Sequence, residues 1–160
     1  MEYWRPSTTV AAIVERDGRY LVVREQTRDG LRINQPAGHL DPGESLERAV
    51  ERETLEEAAY HVAPTALVGV YMSRYRSEAT GADVTYVRFA FACRMVLHDP
   101  ERRLDHGIVE ALWLTPDEIR ARRDEHRSPL VLQSFQDYWG GHSYPLSAIY
   151  THASCLYSRV

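Results

Sequence analysis

The 160-residue chain contains no lysine, and all 19 of its cationic side chains are arginine. That excludes a lysine nucleophile and Schiff-base chemistry. Cysteine is almost absent. Cys93 and Cys155 make neither a disulfide framework nor a metal knuckle, so a reducing, cytoplasmic setting is expected. No window approaches the roughly 18 apolar residues of a membrane span, and no membrane partner is expected. Met1 to Pro6 lacks the apolar segment of a secretory leader. Repeats, low-complexity tracts and linker-like stretches are missing, and the length fits one domain over 1–160. The apolar fraction of 44% fills a packed core and excludes a disordered chain.

A basic surplus is also lacking. The net charge is −4, and the segment Glu44 to Glu57 alone holds six glutamates against two arginines. The rest of the chain is balanced, which argues against a nucleic-acid partner. The whole acidic excess is therefore concentrated in one short segment.

Periodicity places the elements. Thr8 to Glu15 alternates as a buried strand, Asp17-Gly18 turns the chain, and Tyr20 to Arg24 returns. Thr27 to Gln35 is polar and is predicted as a loop. Ser45 to Ala59 carries good helix formers and no internal Gly or Pro, and His61 to Pro64 breaks it. Two long strands, Thr65 to Arg76 and Val84 to Leu97, follow, the second rich in Val, Tyr and Phe and expected to be central. Val109 to Leu114 is a short strand. Thr115, Pro116 and Glu118 form an N-cap signature for a helix to about Arg123. Pro129 to Trp139 is a last helix, ended by Gly140-Gly141. No element is assigned from Tyr144 onward. The order implies an α/β fold with helices packed on a mixed sheet.

The acidic helix carries the decisive oddity. On a wheel of about 100° per residue, Glu53 and Glu57 fall within about 20° of Leu46, between Ala49 and Val50. Glu56 falls beside Ala49. Glu47 and Glu51 lie well off this stripe and are expected in solvent. Three carboxylates at i, i+3 and i+4 repel one another, and facing an interior raises that cost. A hard divalent cation removes the conflict, because Mg²⁺ takes its shell from carboxylates, waters and substrate phosphates. The cluster thus predicts Mg²⁺ or Mn²⁺ and a phosphorylated small-molecule substrate. The ordinary alternative is a solvated acidic helix paired with arginines.

Gly38, then Glu44 six residues on, then Arg52-Glu53-Thr54-Leu55-Glu56-Glu57 resembles the Nudix box, G-x5-E-x7-R-E-U-x-E-E-x-G-U, where U is bulky and apolar. Thr54 and Tyr60 stand at U positions, and Ala59 replaces the second glycine. That replacement is expected to matter little if the helix ends outside the left-handed region. Asn34 to Leu40, Arg127-Ser128-Pro129-Leu130, Tyr144-Pro145-Leu146 and the opening Thr8 to Arg24 are similar to the NudJ group of bacterial phosphatases within that family.

The resemblance implies a Nudix-type α/β/α sandwich with a mixed β-sheet and a loop-helix-loop catalytic motif. It implies hydrolysis of diphosphate linkages, and for that group a broad phosphatase acting on nucleoside tri- and diphosphates, thiamine diphosphate and its pyrimidine diphosphate precursor. It implies Glu53, Glu57 and Glu56 as metal ligands, with the Ala37 carbonyl as a further oxygen. Arg52 and Glu44 would orient the carboxylates. Glu56, Asp105 and Glu110 are the candidates for the base that activates water. Nudix pyrophosphatases for nucleotide sugars or dinucleotides, and a non-catalytic ligand-binding module, are the rival readings.

For the rest of the substrate, Arg24, Arg28, Arg32, Arg74 and Arg88 are candidate phosphate contacts, with Gly38 and His39 beside them. Arg76 shares the even spacing of Arg74. Asn34 and Gln35 are candidates for a heterocycle, and Tyr71, Tyr75, Tyr86 and Phe89 for stacking, although strand aromatics more often fill a core. Cys93 is expected in the core. Trp113, Tyr138 and Trp139 leave a monomer or a homodimer open.

Overall fold

The computed structural model describes residues 3–158; Met1 and Glu2, part of the stretch expected to lack a leader, lie outside it. Seven strands and three α-helices follow in the order β1 (Ser7–Arg16), β2 (Arg19–Thr27), β3 (Gly30–Asn34), β4 (Ala37–His39), α1 (Leu46–Ala58), β5 (Tyr60–Arg76), β6 (Asp83–His98), β7 (Ile108–Leu114), α2 (Pro116–Ala121) and α3 (Pro129–Trp139). No helix among the described residues is long and apolar enough to cross a membrane.

The strands form two arms. One runs β4-β1-β6-β5, with β1 and β6 parallel and the other pairs antiparallel. The other is antiparallel, β7-β2-β3. Among the described residues, the ladder pairs that join them lie where β1 turns into β2, at Glu15↔Tyr20 and Arg16↔Arg19. That turn needs positive φ at both central residues, and Asp17 (52°) and Gly18 (73°) supply it. Toward the N-terminus of β1, its partner is β4 instead of β2, so the two arms part there. The crossing segment Gln35-Pro36 links them.

Alternation sorts the core. Val10, Ala12, Val14, Leu21 and Val23 pack with Ala49, Val50 and Ala58 of α1. Ile13, Tyr20 and Val22 point the other way and pack with Ile119, Val131 and Phe135 of α2 and α3. The result is the expected sandwich, a mixed sheet with α1 on one face and α2 and α3 on the other. Trp139 stacks on Phe135, and Trp113 meets Tyr60 edge-on, so these aromatics pack within the chain.

Three expectations need correction. Thr27 to Gln35 is not a loop: Gly30–Asn34 pairs in register with β2 as a hairpin. Its polar side chains flank a short buried stretch, Ile33-Asn34, which a polarity count hides. Next, β5 begins at Tyr60, so Pro64 does not interrupt it. Pro64 lies at a register shift on an outer strand, where a missing N–H is tolerated. Finally, Ala59 caps α1 in the left-handed region at φ 60°. The chain thus demands a glycine-like conformation from an alanine, which costs about 1 kcal/mol.

Candidate active site

Helix α1 is positioned from its N-terminus. Ser45 caps it by accepting from Arg48 N at 3.2 Å. The preceding turn is held by Glu44, whose Oε1 accepts from Asp41 N at 2.8 Å. From there Glu44 reaches forward to Arg52 and takes a two-pronged bond, Nε to Oε2 at 3.0 Å and Nη2 to Oε1 at 2.7 Å. Arg52 Nη2 also donates to the His39 carbonyl at 2.9 Å. Its Nη1 donates to Glu53 Oε1 at 2.7 Å and Glu56 Oε2 at 3.0 Å. All five N–H donors of the guanidinium are thereby used. The Arg52 side chain ties the loop, β4 and two helix carboxylates into one rigid unit. The paired Glu44 keeps its carboxyl below the usual range: burial pushes it up, and the Arg52 bonds outweigh that.

Glu53 lies flat on the backbone of β4. A Cβ added at Gly38 would fall inside the van der Waals shell of the Glu53 carboxyl carbon and both its oxygens. Gly38 has no positive φ, so close approach, not conformation, is what requires glycine there. One turn on, Glu57 Oε2 accepts from Ala37 N at 2.9 Å. The pairing of Pro36, Gly38 and Leu40 with β1 leaves the N–H and C=O of Ala37 directed off the open edge of β4. Burial, with Glu53, Glu25 and Asp105 nearby, pushes Glu57 up to about 8, against the help of the Ala37 bond. Burial likewise raises Glu53, although Arg52 opposes it.

Such a stripe is electrostatically unfinished: one arginine faces three inward carboxylates. Among the described residues, no three acidic or imidazole side chains already converge as a ligand shell. Arg52 holds Glu53 and Glu56, while Glu57 holds the Ala37 amide. The donor chemistry nevertheless fits a hard divalent cation, since every group offered is a carboxylate or main-chain oxygen on one patch.

The sequence agrees with this geometry across most of its length. The NUDIX domain profile matches residues 4–135. The chain belongs to the Nudix family. Phosphatase NudJ of Shigella boydii is 33% identical over 147 residues, covering 91% of this chain and 92% of that one. Phosphatase NudJ of Escherichia coli K12 matches to the same extent. A NUDIX hydrolase from Nitrosomonas europaea superposes with a TM-score of 0.85 at 45% identity, covering 92% of this chain and 98% of that structure. An ADP-ribose pyrophosphatase from Streptococcus suis shares the fold alone, at TM-score 0.62 and 16% identity over 88% and 96%. The chain is accordingly a Nudix phosphohydrolase, from a family that acts on small-molecule diphosphates and generally uses divalent metals such as Mg²⁺.

The departures from the Nudix box are accommodated locally. Thr54 is fully buried and returns its hydroxyl to Val50 O at 2.7 Å, so no polar group is stranded. Tyr60 is buried, stacks on His98 and accepts from Trp113 Nε1 at 3.1 Å. Glu47 and Glu51, expected in solvent, are half-buried.

Other expected residues divide by face. Arg88 is buried and donates to Gln35 Oε1 at 3.1 Å and Asn34 Oδ1 at 2.8 Å, and Gln35 continues to Ser134 Oγ at 2.8 Å. His39 lies 6.2 Å from Tyr86, ring to ring. Asp105 is exposed, and its loop is fastened to the end of α1 through its N–H and Glu56 O at 3.0 Å. Its charge is close enough to raise both Glu53 and Glu57.

Arg24 is the first correction. It pairs with Glu110 at 2.6 Å, and both sit on the opposite face with Arg122 and Glu125. Counting along β2 explains it, since Leu21 and Val23 face α1 and Arg24 is one residue out of phase. Arg74 makes a two-pronged pair with Asp83 at 2.7 and 2.6 Å near the β5–β6 turn. The register Tyr71↔Arg88 and Arg74↔Thr85 puts Arg74 and Arg88 on opposite faces. Arg28 is exposed in the β2–β3 turn, and Arg32 donates to Leu31 O at 3.0 Å. Phe89 packs against the core, Tyr71 donates to Asp137 Oδ2 at 2.8 Å, Tyr75 is exposed, and Cys93 is buried as expected.

Glu25 was not singled out by its sequence context. It lies beside Arg127 and adds its charge to Glu57. Its phase along β2, in step with Leu21 and Val23, is the signal that identifies it.

Proposed function

We propose that this chain hydrolyses phosphoanhydride bonds of nucleoside tri- and diphosphates, and of thiamine diphosphate or its pyrimidine diphosphate precursor. Orthophosphate is released, and Mg²⁺ or Mn²⁺ is required. The observation that carries the proposal is the inward carboxylate stripe. Glu53 lies against Gly38, Arg52 has every donor committed, and Glu57 is held near 8 by burial beside other acids. Likeness to the two NudJ phosphatases over nine-tenths of the chain supports the substrate class.

Glu53, Glu56, Glu57 and the Ala37 carbonyl would hold the cation. When bound, it offsets phosphate charge and makes phosphorus and water more reactive. Arg52 and Glu44 keep the carboxylates at fixed spacing, a positioning role. Asp105 accepts the proton of the attacking water. Glu56 is tied to Arg52 and Glu110 to Arg24, whereas Asp105 makes no side-chain bond among the described residues. Proton removal by a positioned carboxylate contributes about 10²–10⁴-fold.

The test is a panel of CDP, ATP, thiamine diphosphate, a nucleotide sugar and a dinucleotide polyphosphate. Orthophosphate and pyrophosphate are scored with Mg²⁺ and with EDTA. Orthophosphate from the first three, lost in EDTA and restored by Mg²⁺, supports the proposal. Turnover confined to the capped diphosphates transfers it to the pyrophosphatase reading. Tight binding without turnover across the panel makes the chain a ligand-binding module.

A further inference from the structure

Segment 144–158 lies beyond the residues that the NUDIX profile matches, yet it is fastened to the body of the fold. Tyr144 exchanges two main-chain bonds with Leu67 of the outer strand β5. Its N–H donates to Leu67 O at 2.8 Å, and its carbonyl accepts from Leu67 N at 2.9 Å. Leu146 and Ile149 then pack on the core cluster of the α1 face, the same cluster that takes Leu40 and Leu46. The segment thus leaves α3, rounds the edge of β5 and reaches the side of the sheet that carries the carboxylates. Further on, the Tyr157 carbonyl comes down on Gly43, so that a Cβ built there would collide with its oxygen.

That contact falls on the turn that serves the acidic helix. In Asp41-Pro42-Gly43-Glu44, Pro42 is followed by Gly43 at φ 92°, the arrangement of a type II turn. Glycine is therefore required twice at this position, by its φ and by the carbonyl lying over it. Glu44 braces the turn by accepting from Asp41 N and continues to Arg52. Arg52 in turn holds Glu53 and Glu56. Only Glu44 and Arg52 stand between the Tyr157 contact and the carboxylate stripe.

The grip of the segment is light. Beyond Tyr144, the hydrogen bonds among the described residues close short turns inside the segment itself, such as Ala148 N to Pro145 O and Cys155 N to His152 O, both at 2.9 Å. Tyr150, Leu156 and Tyr157 are exposed. A segment with few buried contacts opens at low free energy.

We infer that segment 144–158 is a strap whose docking over Gly43 sets the Asp41–Glu44 turn, and through Glu44 and Arg52 the spacing of the metal-binding carboxylates. The strap is a positioning element, touching neither metal nor substrate. The inference rests on the proposed hydrolase reading for what the turn serves, and its test needs no turnover. Coupling of this kind is reciprocal, so a bound cation favours the docked strap as much as the strap favours the cation.

The test uses the full chain. Leu146→Ser/Ile149→Ser removes the two apolar anchors and releases the strap, and Gly43→Ala puts a methyl under the Tyr157 carbonyl. Alanine at positive φ is strained in both backgrounds, but only a docked strap adds the collision. In thermal unfolding with EDTA, Gly43→Ala should lower Tm by at least about 2 °C more in the native chain than in the released one, the effect of mild overpacking. Mn²⁺ titration followed by electron paramagnetic resonance should show about tenfold weaker affinity in the released chain, the lower end of what loss of a group that orients metal ligands produces. Ile149→Ser alone is a milder release that keeps the test open if the pair does not fold, and circular dichroism checks each variant. Equal Tm costs of Gly43→Ala in both backgrounds, or native Mn²⁺ affinity in a folded, released chain, overturns the assignment. Unequal Tm costs in a chain that binds no Mn²⁺ would keep the strap on the turn and refute the metal-dependent reading instead.

Discussion

Replacing Gly38 by alanine isolates the contact on which the acidic stripe depends. Nothing in the backbone forbids alanine there, since Gly38 does not adopt a positive φ. In a strand, glycine to alanine would ordinarily stabilise by about 0.5–1 kcal/mol. Here the added methyl meets the Glu53 carboxylate. That carboxylate cannot simply swing away, because Arg52 holds it at 2.7 Å and is itself fastened to Glu44 and His39 O. β4 cannot retreat either, being in register with β1 at Val10, which is fully buried. Overpacking of this kind costs about 1–3 kcal/mol, or about 5 °C in Tm at 2–4 °C per kcal/mol. A displacement of about 1 Å at a catalytic group lowers turnover by about 100-fold. Thermal unfolding and phosphate release at saturating CDP with Mg²⁺ read the two effects separately. The double variant Gly38→Ala/Glu53→Asp shortens the carboxylate and should recover most of the lost Tm relative to Glu53→Asp, a non-additive signature. Native Tm and turnover in Gly38→Ala would refute the argument that Glu53 rests on this glycine.

Four further outcomes are expected. Glu57 is protonated more readily in the fold, near 8, than in the unfolded chain, so its stability contribution is present below the ordinary carboxylate value and lost as pH rises through 8. In EDTA, the unfolding free energy should therefore fall between about pH 5 and 8.5, by at most about 1.4 kcal/mol per pH unit, with Tm falling in step, and both Mg²⁺ and Glu57→Gln should flatten the slope. Arg52→Lys keeps a charge but loses the five-bond fork, and turnover should drop about 10–100-fold; a variant with native kcat would show that the fork does not position the carboxylates. Asp105→Asn should lower kcat by about 10²-fold or more with little change in KM, checked by initial rates across substrate concentration. Ala59→Gly relieves the left-handed cap at the loss of one buried methyl, for a net gain of about 0.5 kcal/mol; a fall in Tm would show that the cap is not strained.

Much of this arrangement was legible in the sequence because periodicity reports faces. The wheel position of Glu53 anticipated its burial, Glu57 one turn on is half-buried, and the spacing of Glu44 and Arg52 anticipated their pair. Central placement of β6 followed from its Val, Tyr and Phe content. The misses share a cause: composition says nothing about partners. Arg24 resembled a phosphate ligand until its phase along β2 met Glu110 across the ladder. Arg74 found Asp83 through a turn whose register the sequence does not encode. Gly30–Asn34 was polar enough to look like a loop, yet it pairs with β2 throughout. Glu25 runs in phase with Leu21 and Val23, but its partner Arg127 is set by tertiary packing that the β2 segment alone does not encode. Ala59 shows the converse: the helix ends in the left-handed region without the glycine usually found there.

The most direct test of the central claim is an anomalous difference map from crystals of the chain soaked in Mn²⁺. The account requires a peak within direct coordination distance of oxygens of Glu53 and Glu57, since carboxylate and carbonyl oxygens suit Mn²⁺, with the Ala37 carbonyl or Glu56 completing the set, and no such peak in Glu57→Gln crystals. A Mn²⁺ peak elsewhere, or no peak with Arg52 still bridging Glu53 and Glu56 at saturating metal, would contradict it.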